Sequence, residues 1–337
     1  MNAVQSVLVE NAEDGLRLDR WFRQRYPEVT HGRLEKLLRT GQVRVDGGRA
    51  KSNTRLVAGQ TIRVPPLAVE PGGTATVKPA RKTAFTLTDA QVAELRDRIL
   101  FRTPDVLAFD KPAGLAVQGG TGTERHLDAM LDLLRFDANE RPRLVHRLDK
   151  DTSGVILLAR SAEAARWLTA AFRSKEALKV YWALVVGVPK IPAGRISLPI
   201  AKLPGRAGER MVPDEEEGKT AVTDYRIIGR ALKRASWLAL APRTGRTHQL
   251  RVHCAAIETP ILGDGKYGGA EAFLGGGNFA RQLHLHARAI RMPLPDGRFL
   301  EVKAPVPDHM RRAMDWLGFE VDETIDPFGF FLSLDKK

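Results

Sequence analysis

Residues 146–154, with the sequence HRLDKDTSG, contain side chains that suit two different kinds of chemistry. The spacing of Asp149, Asp151 and Ser153, followed by a glycine, matches the first half of a calcium-binding loop, which supplies oxygen ligands at alternate positions. Such a loop ends on a glutamate at its twelfth position, and the twelfth residue from Asp149 is Arg160. A cation in place of the strongest anionic ligand argues against calcium, so the stretch is a candidate for chemistry by a single carboxylate.

The same stretch can present an arginine and an aspartate on one side of an extended chain. Arg147 and Asp149 are two residues apart, which places their side chains on one face while Leu148 turns into the core. The apolar run VILLA, residues 155–159, then predicts a buried strand. An ordinary surface turn with a salt bridge accounts for this spacing equally well, so the spacing alone does not choose between the two.

A second group of basic side chains lies in residues 242–253, PRTGRTHQLRVH. Its middle predicts a turn and then a helix from about Thr247, which would place His248 and Arg251 three residues apart on one face. Leu250 and Cys254 would face the core. Because apolar segments flank this stretch on both sides, we expect it to lie against a sheet. Its cationic side chains are Arg243, Arg246, His248, Arg251 and His253.

Several familiar catalytic arrangements are missing from the sequence. The segments GGTGTER and GDGKYGG lack the spacing of a phosphate-binding P-loop, and no G-x-G-x-x-G or G-x-S-x-G run occurs in the required context. His284 and His286 would share a strand face, but His248 and His253 diverge on a helix, so three aligned metal ligands cannot be assembled. We therefore predict no metal site and no bound nucleotide.

The composition points to a polyanionic partner. Lys and Arg number 53 against 40 Asp and Glu, a formal net charge of +13, and the 337 residues suit two domains. A single cysteine, Cys254, excludes an internal disulfide and fits a reducing compartment. No targeting pattern is evident at the N-terminus and no apolar run approaches the ~20 residues of a membrane helix. We therefore expect a cytoplasmic protein without membrane contacts.

The first part of the chain predicts two short helices and a small β element. Thr30 is placed to cap the second helix and Gly41 to end it. The run QVRVDGG alternates like a strand before an Asp46-Gly47 turn. Apolar residues at helical spacing give this module a buried face.

The other face of that module is basic. Residues 16–55 carry 11 basic and four acidic side chains, whereas a merely solvated helix face usually alternates in sign. Such a cluster suits sequence-tolerant contact with phosphates. The side chains expected to contact the phosphates of RNA or DNA are Arg17, Arg33, Lys36, Arg39 and Arg44.

The remaining chain predicts an α+β domain. Prolines, glycines and cations make residues 67–90 a flexible linker after a first domain of residues 1–66. A helix is predicted over TDAQVAELRDRIL and a strand over VLAFD. Beyond them short strands and helices follow no regular alternation, which favours a mixed, largely antiparallel sheet with flanking helices over residues 91–320. Residues 321–337 are assigned as a C-terminal tail.

Two resemblances add to these observations. The segment LRLDRWFRQRYPEVTHGRLEKLLRTGQVRVDGG resembles an S4 RNA-binding domain. The motifs HRLDKDTSG, DKPAGLAVQGG, ALKVYWALVVG and TGRTHQLRVH, in this order over about residues 98–305, resemble the RluA family of pseudouridine synthases. The segments QGGTG, ERMV and LHLHA further resemble its RluC-like branch, which carries an S4 domain and modifies large-subunit ribosomal RNA. Asp110 departs from the asparagine usual before Lys-Pro.

The resemblance implies roles for four residues. Asp149 takes the place of the family's catalytic carboxylate, and Arg251 that of the arginine that pairs with it. Tyr181 matches the tyrosine that packs on the target base, and Arg147 the arginine that helps to hold the flipped nucleotide. An ionised carboxylate in a water-poor pocket would need such a cation beside it.

The resemblance also implies a reaction without a cofactor, because uridine is isomerised to pseudouridine with no group entering or leaving. His146, Arg246 and His248 are expected to contact the substrate, which the resemblance predicts to be large-subunit (23S) ribosomal RNA. Three alternatives remain open: a non-catalytic RNA-binding protein, an RNA hydrolase that uses Asp149 as a general base, and a synthase that acts on transfer RNA.

Overall fold

The structure is a computed structural model that describes residues 4–67, 87–119, 123, 125–203, 210–277 and 279–332. The chain divides into two compact units, residues 1–84 and 85–337. Most of the predicted linker, residues 68–86, lies outside the described residues, as do residues 120–122 of QGGTG and the first residue of ERMV.

The first unit packs two helices against a small antiparallel sheet with the strand order β1-β4-β2-β3. Its core includes Leu18, Trp21 and Phe22 of the first helix. The predicted cap is confirmed, since the Thr30 hydroxyl accepts a hydrogen bond from the Arg33 amide at 3.3 Å, and Gly41 has a φ of 70°. The elements are β1 (Gln5–Leu8), α1 (Leu18–Arg25), α2 (His31–Arg39), β2 (Arg44–Val45), β3 (Gly48–Arg49) and β4 (Thr61–Val64).

The second unit is built on one large sheet. Its strands are β5 (Ile99–Arg102), β6 (Val106–Lys111), β7 (Arg143–Leu144), β8 (Ser153–Ala159), β9 (Leu178–Val186), β10 (Ala193–Ser197), β13 (Val222–Ala231), β14 (Ala235–Pro242), β15 (Leu285–Pro293) and β16 (Phe299–Lys303). A separate two-stranded sheet is formed by β11 (Ile200–Lys202) and β12 (Met211–Pro213).

The order of the large sheet is β10-β13-β14-β9-β15-β8-β6-β5, with β16 on β15 and β7 on β8. Among the described strands, only β8 and β15 pair in parallel. Helices cover both faces: α3 (Asp89–Asp97), α4 (Leu127–Met130), α5 (Ala162–Ser174), α6 (Gln249–Ala256), α7 (Asp308–Trp316) and α8 (Gly329–Leu332). The predicted α+β class and largely antiparallel sheet are therefore confirmed.

Two local expectations are corrected. The helix predicted through residue 100 ends at Asp97, because Ile99–Arg102 leaves it to pair with β6 as an edge strand. The predicted C-terminal tail is, as far as residue 332, part of the second unit. Phe328 and Phe331 are each 1% exposed within its core, because two large aromatic side chains bury apolar surface that a free tail would leave in water.

Among the described residues, no helix is both long enough and apolar enough to cross a membrane.

Candidate active site

The loop that carries Asp149 is held at its end by a close contact between two parallel strands. Gly154 pairs with Ala287 and has a φ of 108°, and a Cβ atom at this position would lie 2.2 Å from the Ala287 carbonyl oxygen. Beside it the buried Ser153 hydroxyl and His286 Nδ1 lie 2.9 Å apart in a hydrogen bond. Only glycine fits here, so the loop enters β8 along one path. The predicted strand over residues 155–159 lies within β8 and is fully buried.

A buried lysine holds the other side of the loop. Lys111 is 0% exposed, and its ammonium donates to the carbonyl oxygens of Pro112, Leu115 and Lys150 at 3.0, 2.9 and 2.9 Å. Burial lowers the pKa of Lys111 to about 7, against the negative charges of nearby carboxylates that include Asp149. Because Lys150 directly follows Asp149, these bonds restrict where the Asp149 carboxylate can lie.

His146 is a neutral ring that anchors the start of the loop. Its Nε2 accepts a hydrogen bond from the Leu157 amide at 2.8 Å, so the proton of the neutral ring is on Nδ1. The ring packs against Phe172 with 4.4 Å between centroids. Burial, together with the charge of Lys179, lowers the pKa of His146 to about 3. His146 lines the same cleft as Asp149, as its expected contact with substrate requires.

Asp149 and Tyr181 face each other across the floor of the cleft. Tyr181 is on β9, and burial followed by the charge of Asp149 raises the pKa of its phenol. The half-buried Asp149 carboxylate forms no hydrogen bond or ion pair with any described residue. Leu148 is buried between Arg147 and Asp149, as the spacing predicted. A carboxylate without internal partners is free to act on a substrate.

Arg251 has a different partner from the one expected. Its guanidinium donates to both carboxylate oxygens of Asp264, at 2.8 and 2.6 Å. Asp264 is 1% exposed, and a carboxylate buried so deeply must be paired, which is the physical reason for this arrangement. Despite burial, the bonds to Asp264 and the charges of Asp264 and Asp149 raise the pKa of Arg251. Arg251 therefore lies near Asp149 as a permanent cation, but the direct ion pair with Asp149 is not formed.

The position of His248 also corrects the sequence analysis. Helix α6 begins at Gln249, and His248 precedes it with a φ of 53°, so it does not share a helix face with Arg251. The two residues meet instead at Tyr267. The Tyr267 hydroxyl lies 2.7 Å from His248 Nδ1, and the Arg251 guanidinium lies 4.9 Å from the ring centroid. Leu250 and Cys254 face the core as predicted.

The remaining arginines of the motif lie at the rim. Arg147 is exposed and Arg246 is exposed with its Nε donating to the Thr220 carbonyl oxygen at 3.0 Å. Arg243 donates to the buried carboxylate of Asp224 at 2.7 Å. All three arginines line the cleft. Arg243 is held by its ion pair with the buried Asp224, whereas Arg147 and Arg246 are exposed to solvent.

The cleft has a volume of about 720 Å³. The described residues around it supply eight Lys or Arg side chains but only two carboxylates, Asp149 and Glu176. Such a cleft attracts an anionic polymer and presents one carboxylate and one phenol at its floor. No group of three or more metal-ligating side chains occurs among the described residues.

The residues predicted to bind RNA in the first unit lie mainly at its surface. Lys36 and Arg39 are exposed on α2, and Arg33 is half-buried on the same helix. Arg17 is exposed and bonds Asp19 at 2.5 Å. Arg44 donates to the carbonyl oxygens of Gly41 and Gly47, both at 3.1 Å, and so also stabilises a turn.

Sequence reasoning missed three residues of the second unit that hold the site: Lys111, Asp264 and Tyr267. Each lies in a segment that had been noted, DKPAG or GDGKYGG, but the latter was considered only as a phosphate loop. For Lys111 and Asp264 the signal is a buried charge, and burial is not readable from one sequence.

Comparison with protein families and known proteins gives a consistent result. A family model described as RNA pseudouridylate synthase matches residues 105–256. The chain is 34% identical to "Ribosomal large subunit pseudouridine synthase C" of Escherichia coli (strain K12), covering 94% of this chain and 97% of that protein. It is also 34% identical to "RNA pseudouridine synthase 4, mitochondrial" of Arabidopsis thaliana, over 91% of this chain and 80% of that protein.

A similar fold is found among solved structures. "Human RNA Pseudouridylate Synthase Domain Containing 4" matches with a TM-score of 0.59 and 28% identity, covering 69% of this chain and 97% of that one.

Proposed function

The chain belongs to the RNA pseudouridine synthases, and from this premise we propose that it isomerises uridines of large-subunit ribosomal RNA with Asp149 as its catalytic carboxylate. The substrate is suggested by relatives named as large-subunit enzymes, which are similar over nearly their whole length. The observation that carries the catalytic assignment is the Asp149 carboxylate, which has no partner among the described residues and lies at the floor of a cationic cleft.

The reaction requires little beyond this carboxylate. The N1–C1′ bond of uridine breaks, the base turns, and a C5–C1′ bond forms while the C5 proton is lost and N1 gains one. Asp149 acts at the sugar, where it either bonds to C1′ or removes a sugar proton. The positive charge of Arg251 keeps the carboxylate ionised when the substrate displaces water, because an opposite charge offsets the cost of desolvation.

The aromatic and basic neighbours of Asp149 position the nucleotide. Tyr181 supplies a face on which the extruded base packs. Extrusion costs a few kcal/mol of lost stacking, and Arg147, exposed at the rim, offsets part of this by entering the space the base leaves. His146, Arg246 and His248 complete the contacts with the nucleotide.

We assign RNA binding in the first unit to its basic face, in the manner of an S4 domain. The exposed Lys36 and Arg39 on α2 support this assignment. Contacts of this kind give affinity without reading sequence. A cytoplasmic location follows if the ribosomal RNA of the cell is the substrate.

Tritium release tests the proposal. Ribosomal RNA and transfer RNA, each labelled at uridine C5, are incubated separately with the wild-type protein, with Asp149→Asn and with the control Asp151→Asn, which removes an exposed carboxylate two residues away. We expect wild type and the control to release tritium into water, and Asp149→Asn to be slower by on the order of 10³-fold or more.

Other outcomes identify the alternatives. Equal release by wild type and Asp149→Asn would overturn the catalytic role of Asp149. Release of tritium from transfer RNA alone would mean that transfer RNA is the substrate. Shortened RNA would indicate a hydrolase. Binding of RNA without tritium release would indicate a non-catalytic RNA-binding protein.

A further inference from the structure

A lysine in the cleft has no counterion among the described residues. Lys179 is on β9, two residues before Tyr181, and is half-buried. Its ammonium forms no hydrogen bond or ion pair with any residue that the structure describes. Burial without a compensating anion is unfavourable for a charged group, and accordingly burial lowers the pKa of Lys179. An ammonium held in this way is stabilised when an anion enters the cleft.

Two more cations extend the positive charge around Lys179. Arg173 and Lys175 lie at the end of α5, are exposed, and line the same cleft. Lys175 ends that helix with a φ of 65°, a position where glycine is usual because it adopts left-handed backbone without strain. Lys175 therefore occupies a backbone conformation that is unfavourable for a residue other than glycine, and it lines the cleft. Glu176 is the nearest carboxylate in sequence and is exposed.

The geometry relates these cations to the target nucleotide. Lys179 and Tyr181 are on the same face of β9, about 6.6 Å apart along the strand at roughly 3.3 Å per residue. This separation is comparable with the span of one nucleotide from its base to its neighbouring phosphate. His146, which lies beside Lys179, is a neutral ring and adds no charge that would compete for an anion.

We propose that Lys179, assisted by Arg173 and Lys175, binds a backbone phosphate of the RNA strand next to the nucleotide whose base packs on Tyr181. The inference rests on the proposed function for the identity of the polyanion. A phosphodiester supplies the missing negative charge, and it accompanies every nucleotide whatever its base. The site therefore contributes affinity and fixes the position of the RNA strand along the cleft, while Asp149 carries out the reaction.

Salt dependence of binding provides the first test. A fluorescent 12-residue oligouridylate is titrated with full-length wild type, Lys179→Gln, Lys179→Arg and the control Lys233→Gln at several salt concentrations. Lys233 is exposed and does not line the cleft. For single-stranded RNA each neutralised phosphate contributes about 0.7 to the slope of log K against log salt concentration.

We expect the slope of Lys179→Gln to be smaller than that of wild type by about 0.7, whereas the slopes of Lys179→Arg and Lys233→Gln stay at the wild-type value. We also expect the melting temperature of Lys179→Gln to be equal to or above that of wild type, because it removes a half-buried charge without a partner. An unchanged slope for Lys179→Gln, or a lower melting temperature, overturns the inference. The slope is read whether or not tritium is released, so a failure of the proposed function is recognised separately.

A second arm locates the phosphate. In a stem-loop around a mapped target uridine, the linkage on either side of that uridine is replaced by an uncharged methylphosphonate. The losses in affinity from Lys179→Gln and from one of the two replacements should be strongly non-additive, because both remove the same contact. Additive losses at both linkages contradict a contact next to the target nucleotide.

Discussion

Asp264 determines the position of the cation near the Asp149 carboxylate. The Arg251 guanidinium can make a bidentate pair with one carboxylate at a time, and it makes that pair with Asp264. This leaves Asp149 with the positive charge of Arg251 nearby but without a direct bond that a substrate would have to break. Asp264 is therefore a positioning residue, which acts through Arg251.

Replacement of Asp264 by Asn should lower both stability and turnover. A buried cation left without its partner costs about 3–5 kcal/mol of unfolding free energy. The released guanidinium is then free to pair with Asp149, so we expect kcat for tritium release to fall at least 10-fold with a smaller change in KM. Urea unfolding and steady-state kinetics measure the two effects. Asp296→Asn, which disturbs an exposed pair with Arg298, is the control and should change neither by much.

At the residue scale the sequence was a better guide to membership of the site than to its contacts. Asp149, Tyr181 and Arg251 surround one cleft, as their motifs predicted. The partner of Arg251 could not be predicted, because Asp264 comes from a loop whose distance to α6 depends on the packing of the whole second unit. His248 was wrongly placed in a helix, since nothing in its neighbours requires a left-handed residue before Gln249.

The junction of β8 and β15 is the element on which the loop carrying Asp149 depends. Parallel strands approach closely at Gly154 and Ala287, and the Ser153–His286 hydrogen bond lies directly beside them. The loop with Asp149 ends where this junction begins. Any widening of the strand pair is therefore transmitted to the carboxylate within a few residues.

Gly154→Ala should separate this packing effect from simple backbone strain. An added Cβ would meet the Ala287 carbonyl oxygen at 2.2 Å, in addition to the cost of a φ of 108°. Gly297, with a φ of 82° and no atom within 4 Å of an added Cβ, is the matched control. We expect Gly297→Ala to cost about 1 kcal/mol and Gly154→Ala to cost several times as much and to abolish tritium release. Similar losses of unfolding free energy in the two variants would show that the close contact is unimportant.

At the element scale, local signals located the helices and both ends of α2, but not the end of α3 or the partners of the elements. Thr30 and Gly41 were correct because capping and left-handed termination depend on neighbouring residues alone. The helix predicted through residue 100 was too long, since its last apolar residues satisfy an edge strand equally well. Phe328 and Phe331 were assigned to a tail because the three phenylalanines of residues 328–331 show no period, although the core that receives Phe328 and Phe331 is formed by distant parts of the chain.

The second unit as a whole should lose stability in mild acid. Burial lowers the pKa of His146, His284 and His286 to about 3, 4 and 3, compared with 6.5 for the free side chain. Their neutral forms stabilise the fold fully above pH 6.5, and this contribution is lost as the pH falls towards the folded values, because the unfolded chain binds the protons first. Each histidine contributes at most about 1.4 kcal/mol per pH unit in this window. Burial raises the pKa of Asp110 from 3.8 to about 6, so protonation of this group stabilises the fold as the pH falls. This single group offsets only part of the loss from the three histidines.

Urea unfolding between pH 7 and pH 5 measures this dependence. We expect the free energy of unfolding to fall by several kcal/mol over this range. His284→Gln should give a shallower curve than wild type, by the share of one histidine. A flat curve would show that the three rings titrate as they do in the unfolded chain, as rings accessible to water would, and a rise in stability towards pH 5 would show that they are protonated in the fold.

Charge at the scale of the whole molecule was the part of the function most readily predicted, because a net charge of +13 is a property of composition and not of contacts. The remaining prediction concerns which of these positive charges contribute to RNA affinity and which to catalysis. The double variant Lys36→Gln and Arg39→Gln neutralises two exposed cations of the first unit, whereas Lys233→Gln with Arg312→Gln neutralises two exposed cations of the second unit outside the cleft. If the first unit binds the phosphate backbone of RNA, the first pair of substitutions should lower the slope of log K against log salt concentration by about 1.4–1.8 on structured ribosomal RNA. The second pair should leave the slope unchanged.

Turnover at saturating RNA should be the same in both double variants, because neither pair touches the cleft. Equal slopes for the two double variants would mean that the basic face of the first unit is only a solvated surface, and that affinity comes from the second unit alone.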